Sequence, residues 1–274
     1  MSSPRVGIVD RKTRRVDNNA IVVHPVAAKG FDESQRYDRG RPGYPPQAVD
    51  WLRLNLGLGP GKLAADVASG TGKLTGSLAE DGSGVIGLEP VAAMRRQFLV
   101  NCRSVPCVGA VAERLPLRSG CLDAITVAQA FHWFDAPRAL EEFHRVLRPQ
   151  GRVGLIWNVR DRSVDWIERL WQVMDRVERH APWRDHDRLP LAGVAGAAGF
   201  GPIQQAQFHH VHTIDRQTLV DRFCSVSHVA VLSEPERQSV IDEVLSVVDE
   251  HPSTRGRPTL PIPYRVDAYW MERI

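Results

Sequence analysis

The sequence predicts an α/β protein: a seven-stranded, mostly parallel sheet with helices on both faces and added helices in the C-terminal half. Three observations carry this. Short apolar runs alternate with helical periodicity from residue 62 to 158, the pattern of parallel strands joined by helical crossovers. The first run ends in a glycine-rich turn, SGTG at 69–72, that opens a helix. The second run ends in an acidic residue, Glu89, 19 residues after Gly70.

Taken in order, residues 1–28 show little periodicity and read as an arm. The densest basic run, Arg11, Lys12, Arg14 and Arg15, lies in it and reads as a solvated segment. YDRGRPGYPP (37–46) is a poor helix because of its prolines. It leads into an amphipathic helix that ends near Gly57. KLAADVA (62–68) reads as a buried strand, 73–80 as a helix, 84–90 as a strand and 91–100 as a helix. Further strands are expected within 104–112 and 121–130. A helix at 137–147 carries Leu140, Phe143, His144 and Leu147 on one face, and RPQG (148–151) turns into a fifth strand at 152–158.

The pattern then changes. Residues 161–180 read as one long helix with Trp166, Leu170, Val173, Met174 and Val177 as its stripe. The stripe is expected to be core or a wall of an acceptor pocket, and its helix the source of substrate selectivity. A strand follows at 203–214, then helices at 216–232 and 234–250. The tail reads as a final strand, placed at an edge by Pro261 and Pro263. The organisation is an arm (1–28) and one domain (29–274), with a ligand-binding core at 62–158 and helical additions at about 161–198 and 213–258.

Composition excludes several classes. The chain has 274 residues, 43% hydrophobic and 24% charged, ordinary globular values. Such a chain buries a core without disulfide or metal staples. No apolar run reaches the roughly 18 residues of a membrane span, and the first apolar stretch breaks too early for a secretory signal. A net charge of +3 is too weak to argue for nucleic acid. Cys102, Cys107, Cys121 and Cys224 form no CxxC pair and suit reduced thiols, so the cytoplasm is the expected compartment.

Gly70 and Gly72 allow close backbone approach to a ligand ahead of a helix N-terminus. The spacing to Glu89 is that at which an acidic residue meets ribose hydroxyls, so an adenosine-containing ligand is expected. A dinucleotide fingerprint would need a third glycine where Thr75 stands. A carboxylate at Asp66 would repel a pyrophosphate but suit an ammonium and a sulfonium. An NAD(P)-dependent oxidoreductase is therefore disfavoured. His209, His210 and His212 invite a metal reading. In a strand 210 and 212 share one face and 209 takes the other, and no carboxylate or Cys completes a site, so no metal is expected.

DVASGTG (66–72) with GLEP (87–90), AERLP (112–116), FHW (131–133) and VLRPQG (146–151) resembles the class I S-adenosylmethionine-dependent methyltransferases. It is most similar to their generic small-molecule-type branch, as are YDRGRPGYPP and the late LPIPYRVDAYW. The resemblance runs from about residue 31 to the C-terminus and implies a Rossmann-like sheet. It implies S-adenosylmethionine as cofactor and S-adenosylhomocysteine as product. Asp66, Ala68, Ser69, Gly70 and Gly72 would hold the methionine moiety and the turn around it. Glu89 would take the ribose hydroxyls, Ala112 and Glu113 would lie beside the adenine, and Gln129 would face the methionine or the reacting methyl. His132 is the candidate base, because its pKa range suits neutral pH. Trp133 would be pocket wall or core. Tyr37, Arg41 and Tyr44 would form a lid over the cofactor or meet the acceptor.

Two departures stand out. Ala68-Ser69 replaces the usual glycine before a small residue, so Ala68 is expected to keep a negative φ. Val111 stands where an acidic residue is frequent, so Glu113 or a backbone carbonyl is expected at the adenine amine. AQAFHW lacks the Pro-Pro-aromatic motif of nucleic-acid amino methyltransferases. A small or medium organic acceptor is the remaining class, with no nucleic acid and no membrane. A non-catalytic cofactor-binding or regulatory protein of the same fold is the alternative.

Overall fold

The computed structural model describes residues 34–177, 191–226, 229 and 232–274. The expected arm lies outside them, as do residues 178–180 of the predicted long helix. Seven strands form one sheet: β1 (Leu63–Val67), β2 (Gly84–Leu88), β3 (Cys107–Val108), β4 (Leu122–Ala128), β5 (Leu147–Arg160), β6 (Gln204–Ile214) and β7 (Leu260–Glu272). Their order is β3-β2-β1-β4-β5-β7-β6. Only β7 runs against its neighbours. The described helices are α1 (Ser34–Gly40), α2 (Pro46–Leu56), α3 (Lys73–Ala79), α4 (Ala92–Asn101), α5 (Ala136–Val146), α6 (Asp165–Val177), α7 (Leu191–Ala197), α8 (Arg216–Cys224) and α9 (Glu234–Glu250).

Alternation along the strands divides the core. Ala64 packs with Leu52 of α2, Leu74 of α3 and Phe98 of α4. Ala65 and Val67 pack on the other face with Leu140 and Phe143 of α5. Period two thus puts helices on both faces of a nearly all-apolar strand. Glycines set the close approaches. A Cβ on Gly154 of β5 would lie 2.8 Å from Leu56, and one on Gly87 of β2 would lie 2.6 Å from Phe98. α2 starts with Pro46 at its first turn and ends at Gly57, whose φ of 63° makes the left-handed cap.

A third cluster joins α6, α8 and α9 to the ends of β6 and β7. It includes Trp166, Leu170, Val173 and Met174, so the stripe of α6 is core. No residue of α6 lines either cavity described below. The expectation that this helix sets substrate selectivity is therefore corrected. Its neighbours α8 and β7 reach the site instead.

The final strand is not an edge. β7 lies between β5 and β6, and β6 closes that side. Pro261 and Pro263 are tolerated because β5 ends at Arg160, opposite Tyr264, so both prolines lie beyond its last ladder pair. The poor-helix expectation at 37–46 is also corrected. α1 takes in residues 37–40 because the prolines begin only at Pro42. The RPQG turn is absorbed into β5 as a bulge. Gln150 has a φ of 64°, and the pairing jumps from Leu122↔Leu147 to Ala124↔Arg152. The first helix after β5 starts at Asp165 rather than 161. β6 alternates as predicted, with 206, 208, 210 and 212 half-buried and 209 and 211 exposed.

Candidate active site

β1 and β4 lie side by side, yet the chain leaves β1 toward β2 and β4 toward β5. This reversal opens a crevice at the carboxyl ends of both strands. Both strands turn out of the sheet through a non-glycine residue in the left-handed region: Ala68 at φ 53° and Gln129 at φ 60°. The negative φ expected of Ala68 is thus overturned. Ser69 N donates to Leu88 O at 3.2 Å and Gln129 N to Ile156 O at 2.9 Å, so each turn is pinned to a neighbouring strand. A left-handed L-residue costs roughly 1–2 kcal/mol, strain of the kind that persists where the surroundings over-determine the backbone.

Gly70 and Gly72 take φ values of 56° and 87°. A Cβ on Gly72 would also stand 2.6 Å from Cys102 Sγ of the α4 end. Glycine is required there twice over. Glu89 closes β2 and is 4% exposed. Its Oε2 accepts from Gly70 N at 2.9 Å and its Oε1 from Val91 N at 2.7 Å. Each oxygen keeps a second lone pair. Burial pushes the carboxyl up to about 7, opposed by the two N–H groups and by Arg95.

Asp66 is fully buried under the crevice floor. It accepts from Thr75 Oγ1 at 2.5 Å and Thr126 Oγ1 at 2.8 Å, and burial raises its pKa to about 6. It lines neither cavity. Its place is structural: it ties β1 to β4 and α3, and the expected contact with a ligand ammonium is not where the carboxylate points. Thr75, which breaks the dinucleotide fingerprint, is its partner.

Two cavities meet over the crevice. The first, about 780 Å³ including space open to solvent, has Glu89, Met94, Val111, Ala112, Glu113 and Trp133 among its walls. The second, about 550 Å³ on the same measure, is lined by Arg41, Tyr44, Lys73, Asn158, Arg222 and Tyr264 among others. Tyr37, Ala68, Gly70 and Gln129 border both. Ser69 lines the second. Glu113 Oε1 accepts from Asp135 N at 2.9 Å, which holds the loop before α5.

α1 closes over this junction as a clasp. Asp38 accepts from Thr71 Oγ1 at 2.6 Å and pairs with Lys73 at 3.5 Å, on the glycine turn. Arg39 Nε donates to the buried Asp221 of α8 at 2.9 Å. Gly40 abuts the backbone of Arg222, where a Cβ would stand 2.6 Å away. Arg41 stacks over the Tyr37 ring at 4.9 Å. Burial, then Tyr37 and Asp66, raise the Tyr44 phenol above the usual range, with Gln129 and Arg41 opposing the shift.

His132 does not reach the crevice. It sits on the 3₁₀ turn Phe131–Trp133, lines neither cavity and packs against Trp133 at 5.2 Å. FHW delivers Trp133, not its histidine. Sequence reasoning missed Met94, Lys73, Asn158, Arg222 and Tyr264. Only Asn158 carried a local signal, its place at the carboxyl end of a strand. Among the described residues no cluster of His, Cys, Asp or Glu could hold a metal, and His210 spends Nε2 on Asn158 at 3.2 Å.

An open, mostly parallel sheet with a glycine turn on one strand and an acidic residue closing the next is the architecture of a Rossmann-like α/β protein. Residues 65–155 match the family described as Methyltransferase domain. An uncharacterized methyltransferase of Mycobacterium tuberculosis is 34% identical over 228 residues, 83% of this chain and 88% of that protein. An uncharacterized methyltransferase of Schizosaccharomyces pombe is 28% identical over 222 residues, 80% of this chain and 87% of its own. A solved structure from Anaeromyxobacter dehalogenans, described as a candidate type II methyltransferase, has the same fold. Its TM-score is 0.59 at 22% identity, covering 85% of this chain and 97% of that one. The chain belongs to this methyltransferase family, and it is a methyltransferase.

Proposed function

We propose that this enzyme uses S-adenosylmethionine to methylate a small or medium organic acceptor held in the second cavity. The observation that carries the reading is Glu89. It is a buried carboxylate at the end of β2, with one N–H on each oxygen and a free lone pair on each for a ribose hydroxyl. The walls around it fit an adenosine: Val91, Met94, Val111 and Ala112 are apolar, and Glu113 adds a polar edge. The bound cofactor would supply a sulfonium-activated methyl group, transferred in line to the acceptor.

The chain's own residues align and enclose. Gln129 stands at the junction of the cavities, fixed by its left-handed backbone and by its N–H donated to Ile156 O. Orientation of this kind is the main catalytic contribution open to such an enzyme. The α1 clasp, tied by Asp38 to the glycine turn and by Arg39 to α8, holds Tyr37 across the junction. His132 takes no part. The four cysteines stand outside any disulfide, which suits a reducing cytoplasm. Among the described residues no helix is long and apolar enough to cross a membrane. Titration with S-adenosylmethionine and S-adenosylhomocysteine, with NAD and NADP as controls, tests the reading. Selective binding of the first pair is expected; binding of NAD or NADP instead would overturn it.

A further inference from the structure

Arg222 is 3% exposed, and its Nε and Nη1 are buried with no hydrogen-bond partner among the described residues. Its chain neighbour Asp221 does not serve it, because that carboxylate is turned to Arg39 and Arg36 of α1. The guanidinium lies 5.6 Å from the Trp171 ring, near the limit of a cation–π contact. Arginine cannot shed its charge, and a buried charge without a counter-charge is strongly unfavourable. Tyr264, 2% exposed, presents a second orphan: its buried hydroxyl has no hydrogen-bond partner among the described residues. Its ring is fixed by stacking on His210 at 5.6 Å.

Both orphans line the second cavity, one from α8 and one from β7. Arg41 and Lys73 add positive charge, Asp38 offsets Lys73 at 3.5 Å, and no Asp or Glu lines the cavity. We propose that the second cavity is a carboxylate-binding site, with Arg222 as counter-cation and the Tyr264 hydroxyl as second donor. The planar guanidinium fork matches a carboxylate in two parallel hydrogen bonds. The carboxylate is that of the methyl acceptor. This assignment rests on the methyl-transfer reading.

Calorimetry with three probes tests it in wild type and Arg222→Met: S-adenosylhomocysteine, 5′-methylthioadenosine (which lacks the amino-acid end), and succinate added to S-adenosylhomocysteine-loaded protein. Loss of succinate affinity by about tenfold or more, with S-adenosylhomocysteine unchanged, assigns the acceptor's carboxylate. A similar loss for S-adenosylhomocysteine, with 5′-methylthioadenosine unchanged, places Arg222 at the cofactor's amino-acid end and overturns the proposal. Equal affinities in both proteins, or equal losses for both nucleosides, overturn the site. If wild type binds neither nucleoside, the methyl-transfer reading fails. Succinate binding to the free protein, lost in Arg222→Met, would then still uphold the carboxylate site, and its absence would end it. Arg222→Lys, which keeps the charge without the fork, carries the same comparison with a smaller loss should the Met variant not fold.

Discussion

The two cavities that meet at Ala68 and Gln129 differ in charge and in origin. The first has Glu89 and Glu113 in its walls, and apart from Tyr37 its lining comes from residues 68–134. The second has Arg41, Lys73 and Arg222, and is assembled from α1, the glycine turn, β5, α8 and β7. One is built from consecutive strand ends, the other from pieces far apart in the chain. The walls around Glu89 are encoded locally. The second cavity is completed by the helices added around the last strands.

The largest effect expected is on the first cavity. Glu89→Ala should weaken S-adenosylhomocysteine by at least about 100-fold, since two hydrogen bonds to a charged group are lost at about 1.5–3 kcal/mol each. It should leave carboxylate binding in the second cavity intact, and equal losses in both would break the division. Next, Gly72→Ala should destabilise by about 2–4 kcal/mol, from left-handed strain plus the clash at Cys102. Denaturant unfolding reads it, and an unchanged midpoint would remove Gly72 from its double role.

A smaller effect separates Asp66 from ligand binding. Its carboxyl titrates at about 6 in the fold against an ordinary 3.8. The folded state therefore holds the proton longer than the unfolded chain. The stability contribution is complete below about 4 and is lost as pH rises through about 6. Asp66→Asn should flatten that part of the stability profile without weakening S-adenosylhomocysteine much. A large loss of affinity would return Asp66 to the ligand. The smallest effect is at Ala68. Ala68→Gly should relieve the left-handed strain, raising stability by about 0.5–1 kcal/mol and the melting temperature by roughly 1–4 °C. A fall would show that the alanine methyl packs usefully.

What was legible in the sequence follows the same division. The alternation from 62 to 158 announced β1 to β5, because each buried strand there is a short apolar run between turn signals. The place of Glu89 at the end of β2, accepting from Gly70 N, was legible because it is a fixed distance along the chain from that glycine. Asp66 was misassigned because a carboxylate beside a glycine turn looks alike whether it faces a ligand or two threonine hydroxyls; Thr75 and Thr126 decide that, and Thr126 lies 60 residues away. His132 misled because a strand-end motif delivers only some of its side chains to the crevice, and the 3₁₀ turn delivers Trp133. Arg222 was invisible, since an arginine on an amphipathic helix reads as solvated until packing buries it. β7 was called an edge because a proline rule holds residue by residue, whereas β5 simply ends before the prolines begin.

The central claim is that Glu89 grips the cofactor ribose as a carboxylate. Burial holds that carboxyl at about 7, so binding should strengthen as pH rises and the acceptor ionises. The most direct measurement is S-adenosylhomocysteine affinity at pH 6 and pH 8, in wild type and in Glu89→Gln. The account predicts about a tenfold gain for wild type across that interval and almost none for the Gln variant, which binds weakly at both. A wild-type affinity indifferent to pH, or a gain that survives in Glu89→Gln, would contradict it.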